Sequence, residues 1–138
     1  METMLGFERE VLAPYELPPN RLSRDMYDNL PLPWTISNPV AAFPRERYVR
    51  LEWDRERVLS NGETFFGGSE EAPIDDLLKG LGTASMVTRW REANPELAGT
   101  EKDALTLYGA RLREALGSGQ TTLSTGSGTV ILLFKKAV

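Results

Sequence analysis

The side chains with chemical capacity in this 138-residue chain are carboxylates, guanidinium groups, hydroxyls and large aromatics, because it holds neither histidine nor cysteine. The usual neutral-pH base, thiolate nucleophiles, thiolate metal sites and disulfides are therefore excluded. Without histidine the serines cannot build a Ser-His-Asp triad, and no Gly-x-Ser-x-Gly elbow occurs. Glu70-Glu71 with Asp75-Asp76 is the closest acidic cluster. It lacks the spaced ligands of a calcium loop and reads as an exposed acidic helix start. The charges from Arg45 to Arg57 are mixed in sign, as on a solvated face, and the carboxylates among them carry little weight as an acid/base pair. Gly117-Ser118-Gly119 and Gly126-Ser127-Gly128 read as turns: neither precedes a helix, and no Gly-x-x-x-x-Gly-Lys-Ser/Thr loop exists. In Leu30-Pro31-Leu32-Pro33-Trp34-Thr35-Ile36 the prolines set an extended run with Leu32, Trp34 and Ile36 on one side. Trp34 there either packs under a lid or touches a ligand.

The elements that must position these groups centre on Thr129 to Phe134, Thr-Val-Ile-Leu-Leu-Phe. Five apolar residues in succession suit a strand covered on both faces, as in an α/β sheet. The Thr-rich run Gln120 to Ser124, joined to it by Thr125-Gly126-Ser127-Gly128, predicts an antiparallel hairpin whose glycines supply positive φ. A hairpin alone is marginal, so its inner strand needs a further neighbour, and no long parallel strand is evident upstream.

Earlier, Glu2 to Leu12 can form a short helix with Met4, Val11 and Leu12 on one face. Leu17-Pro18-Pro19-Asn20 reads as a stiff connector, with Asn20 capping a helix over Arg21 to Leu30. Tyr48 to Asp54 alternates as a half-buried strand with Val49, Leu51 and Trp53 inward. Asn61-Gly62 marks a turn, Phe65-Phe66 an anchor and Gly67-Gly68 a break. Helices are expected from Pro73, with Ile74, Leu77 and Leu78 inward, and over Thr83 to Ala93, with Met86, Val87 and Trp90 along one face. A third, over Glu101 to Leu116, is expected to be capped by Thr100 and to end at Gly117.

The length suits one domain with a core, and 41% apolar with 26% charged residues is the composition of a folded globular chain. A net charge of -4 argues against a general nucleic-acid binder. No apolar run reaches the roughly 20 residues of a membrane span, so no membrane partner is expected and a cytoplasmic location is the default.

Several segments in order then resemble one family. Arg24 to Trp34, Leu51-Glu52-Trp53-Asp54, Thr83 to Trp90 and Leu132-Leu133-Phe134-Lys135-Lys136 are together similar to the C-terminal half of fungal class I S-adenosylmethionine-dependent methyltransferases of the trans-aconitate methyltransferase group, which includes enzymes of secondary metabolism. The resemblance runs from about Leu17 onward. It implies the C-terminal part of a Rossmann-like α/β fold. Residues 1-19 would form an N-terminal helix and connector, 20-99 a helical lid and substrate wall, and 100-138 the final helix and hairpin. Val130 to Phe134 would be the strand inserted beside the family's fifth strand, which this chain does not contain.

The family's glycine-rich cofactor loop and the acidic residue ending its second strand also have no counterpart here, so no residue is assigned to S-adenosylmethionine and any such cofactor would come through a partner. Tyr27, Trp34, Trp53, Arg89 and Trp90 become candidate substrate contacts; Arg89 has the fork geometry to pair with a carboxylate. The resemblance thus implies a subunit, joined to a second copy or to a methyltransferase through the edge of Val130 to Phe134. Methyl transfer after completion by a partner, a cofactor-independent cyclase or isomerase acting by proximity on a small molecule, and a relic of truncation stand beside it.

Overall fold

The computed structural model describes residues 6–56 and 64–137. A π-helical turn at Phe7–Val11 and a 3-10 turn at Ala13–Tyr15 lead to α1 (Pro18–Arg24) and β1 (Tyr48–Trp53). Then come β2 (Glu70–Pro73), α2 (Ile74–Leu81), α3 (Ser85–Ala93), α4 (Ala104–Leu116), β3 (Thr122–Thr125) and β4 (Thr129–Phe134). The chain is mixed α/β with small antiparallel sheets. It divides into two compact units, one from Met1–Leu17 with Glu70–Thr125 and one from Pro18–Ser69 with Gly126–Val138.

The first unit is helical with one short sheet. Val87 and Trp90 of α3 and Leu105, Tyr108 and Leu112 of α4 fall at helical spacing and are buried together with Phe7, Leu12 and Ile74. Phe7 stacks on Tyr108 with ring centroids 4.4 Å apart. The α4 helix starts at Ala104 rather than Glu101, because Asp103, not Thr100, is its cap: its Oδ1 accepts the Leu105 amide at 2.9 Å. Thr100 instead accepts the Lys102 amide within the preceding turn. Gly117, at φ +79°, ends the helix. β2 pairs antiparallel with β3, Glu70 opposite Thr125 and Pro73 opposite Thr122.

In the second unit β1 pairs antiparallel with β4 in full register, from Tyr48 opposite Phe134 to Trp53 opposite Thr129. The expected hairpin is therefore absent: β3 and β4 both form, but each pairs with a strand far away in sequence. The physical reason lies in their connection. Gly126 and Gly128 are not among the glycines with positive φ, so they do not close a tight turn. They permit close approach instead, Gly126 to the ring of Phe65 and Gly128 to the Asp54 carbonyl, 2.9 Å from where a Cβ would stand.

Three further expectations change. The helix predicted over Arg21 to Leu30 is α1, which takes Pro18 and Pro19 into its first turn and stops at Arg24, because Met26 and Tyr27 adopt left-handed φ of +50° and +60°. The run around Trp34 bends rather than extending, with the Thr35 amide donating to the Leu32 carbonyl at 2.8 Å. Of the helix expected over Glu2 to Leu12, the described residues show the π-helical turn Phe7–Val11; Met4 and the Asn61-Gly62 turn lie outside them.

Candidate functional site

The feature of the second unit most open to a partner is the β1–β4 sheet, whose faces differ sharply. On one side Tyr48, Arg50, Leu132 and Phe134 are half-buried. Trp34 packs edge-on against Tyr48 at 5.1 Å and lies 6.2 Å from Phe134, and Tyr48 and Phe134 are themselves 5.1 Å apart. Such aromatic contacts each add about 0.5–1.5 kcal/mol beyond area burial.

Arg50 also points to this side. Its Nη2 donates to the Met26 carbonyl at 2.7 Å and to Asp28 at 2.8 Å, and its Nε to Glu52 at 2.9 Å. Arg55 closes the ring through two bonds to Asp28, both 2.9 Å, and two to Glu52, at 2.8 and 2.6 Å. The bonds from Arg55, then Arg50, hold the Glu52 carboxyl down at about 2, and Arg55 likewise lowers Asp28. This network clamps the left-handed Met26-Tyr27 turn to the strand. It also reverses the expected inward face of β1, since the side carrying Arg50 is covered and the side carrying Val49 and Leu51 is not.

The other side is bare. Val49 is 47% exposed, Leu51 41%, Ile131 39% and Leu133 50%, and they stand as direct cross-strand pairs, Val49 opposite Leu133 and Leu51 opposite Ile131. β4 is accordingly not covered on both faces, contrary to the expectation from its unbroken apolar run. Fully burying one such aliphatic side chain contributes about 1.5–3 kcal/mol, so each of these forgoes about 1 kcal/mol where it stands. The end of the patch is closed by Trp53, stacked on Phe66 at 3.8 Å with the rings 6° from parallel. Asp54 fixes that stack: at φ +56° it turns its carboxylate back to accept the Phe66 amide at 2.6 Å.

The five candidate substrate contacts are divided between the two units. Tyr27 is exposed at the clamped turn, Trp34 lies in the aromatic trio on the covered face, and Trp53 belongs to the opposite face. In the first unit Trp90 is a core residue, and Arg89 donates through Nε to the Tyr15 carbonyl at 2.6 Å. Two clefts lie in that unit among the described residues. One of about 620 Å³ is edged by Asp75, Arg113 and Thr121, with Asp75 and Arg113 joined as an ion pair; the other, about 350 Å³, lies between Phe7, Val11, Leu107 and Tyr108. Burial, with the charge of Glu8, pushes the Tyr108 phenol above its ordinary value. None of the five candidates lines either cleft.

The bare face was missed because Val49, Leu51, Ile131 and Leu133 carry the ordinary signature of inward residues. The polar residue between two of them, Arg50, has partners at Met26 and Asp28 that periodicity does not reveal. Among the described residues no group of histidine, cysteine, aspartate or glutamate is placed to hold a metal ion, and no helix is long and apolar enough to cross a membrane. Comparison with family models, curated proteins and solved structures finds no match to this chain.

Proposed function

We propose that this chain is a subunit rather than a self-sufficient enzyme: a methyltransferase-like protein of fungal secondary metabolism that docks on a catalytic chain and shapes its substrate wall. The observation that carries the reading is β4, which pairs along one edge with β1 and along its other edge with no described strand. An open edge presents backbone donors and acceptors in register for another strand. In the family that the sequence resembles, the strand corresponding to Val130 to Phe134 lies beside the fifth strand of the catalytic half. A partner providing that strand would also provide the S-adenosylmethionine site for which this chain has no assigned residues. Tyr27, in the clamped turn, is then the most exposed of the aromatic candidates for a shared substrate.

Native mass spectrometry of the chain purified from its own host, with and without added S-adenosylmethionine, tests this. The expected result is a complex with a larger methyltransferase-like chain that retains the cofactor. A chain that stays free of any such partner, with or without cofactor, would remove the reading.

A further inference from the structure

We infer that the bare face of the β1–β4 sheet is the contact between two copies of this chain, packed face to face with their strands running end for end. The face positions are Val49, Leu51, Trp53, Thr129, Ile131 and Leu133, none of them charged; Val49, Leu51, Ile131 and Leu133 are exposed, and Trp53 and Thr129 are half-buried at the end closed by Phe66. A neutral patch can meet its own copy without like-charge repulsion, which an isologous two-fold contact otherwise brings. The two ends of the patch differ. Around the Tyr48–Phe134 end stand the exposed cations Arg45, Arg47, Lys135 and Lys136, with Glu46 among them. Just past the Trp53–Thr129 end stand the exposed Glu56 and the half-buried Asp54, whose carboxylate accepts the Phe66 amide, while the intervening Arg55 is engaged by Asp28 and Glu52.

A two-fold axis in the plane of the contact and across the strands lays the basic end of each copy over the acidic end of the other. The same operation sets the four aliphatic side chains of one copy on those of its partner, at the roughly 10 Å spacing of stacked sheets. Running the strands the same way would instead oppose like ends. The contact closes on itself, so it predicts a dimer and not a growing chain of subunits. It leaves the outer edge of β4 unoccupied and does not rest on the methyltransferase reading.

Sedimentation velocity of the full chain over a concentration series tests it. The expected result is a reversible monomer–dimer equilibrium that Leu51→Lys and Ile131→Lys each weaken by about tenfold or more, with the far-ultraviolet spectrum retained. In a second series Lys135→Glu and Glu56→Lys each weaken the dimer, and the two together in one chain restore it. A monomer at every concentration, open-ended oligomers, or a dimer indifferent to both face variants and to the charge exchange would overturn the inference. A homodimer without a methyltransferase-like partner supports this contact while removing the function proposed above; a heteromeric complex in which the purified chain alone stays monomeric does the reverse.

Discussion

The ring of Phe65 sits on Gly126, so close that a methyl group on the glycine would overlap the ring carbons. Phe65 is buried, and an aromatic ring held in a packed site cannot swing aside as a flexible side-chain end can. Gly126→Ala is therefore expected to lower the unfolding free energy by about 1–3 kcal/mol. Urea denaturation reads this as a lower midpoint with unchanged slope. Phe65→Leu in the same background should recover part of the loss, and a midpoint unmoved by Gly126→Ala would show that the ring has another place to go.

Gly109 of α4 offers the contrasting case. A Cβ there would stand 2.7 Å from Leu78 Cδ1, but that atom is the free end of a half-buried side chain, and alanine gains about 1 kcal/mol of helix propensity over glycine. The two effects nearly cancel, so Gly109→Ala should change stability by no more than about 0.5 kcal/mol, whereas Gly109→Val should cost about 1–3 kcal/mol. Thermal unfolding of the two variants side by side separates these outcomes.

Asp103 is fully buried and accepts from Arg91 Nε at 2.7 Å, the Gly99 amide at 2.8 Å and the Leu105 amide at 2.9 Å. Burial alone would raise its pKa, but these donors outweigh it and hold the carboxyl below its ordinary 3.8. Its folded pKa is depressed, so its contribution is complete above that ordinary value and is lost as pH falls through the lower folded one. Asp103→Ala should cost about 2–4 kcal/mol. Asp103→Asn should cost less and flatten the acid limb of the stability curve.

The Arg50–Glu52–Arg55–Asp28 ring is exposed enough to respond to salt. Glu52, lowered from 4.5 to about 2, stabilises the folded form fully above pH 4.5, and that contribution declines as pH falls from there toward 2. Titrating the carboxylate by NMR at low ionic strength and at about 1 M salt, where the Debye length is near 3 Å, should move its pKa back toward the ordinary value. Glu52→Gln should remove this part of the acid dependence, with little change at neutral pH in high salt.

Element identity was largely legible in the sequence, because α2, α3 and α4 and the strands at Tyr48 and Thr129 follow from apolar spacing, proline stops and β-branched runs. Strand partners were not. Sequence proximity and glycines between β3 and β4 favoured a hairpin, whereas the Phe65 ring and the Asp54 carbonyl, both distant in sequence, determine what those glycines do. The polarity of β1 failed for a related reason: Arg50 is held on the covered side by a backbone carbonyl, that of Met26, which side-chain patterns do not record. Trp34, Trp53 and Trp90 became substrate candidates through the resemblance, and spacing gave no means of telling that Trp34 packs against Tyr48, Trp53 against Phe66 and Trp90 in the core of the first unit.

The pairing of β1 with β4 also governs when the molecule can be finished during synthesis. Tyr48 leaves the ribosome long before Phe134, and in that interval the later pieces of the other unit, β2 through β3, are all produced. Val49 and Leu51 then lack both a covering layer and a hydrogen-bonded neighbour. Closing so long a loop is slow relative to local helix formation, which leaves the nascent β1 segment exposed to aggregation until β4 emerges. Any shortened product that stops before Thr129 would remain in that state permanently.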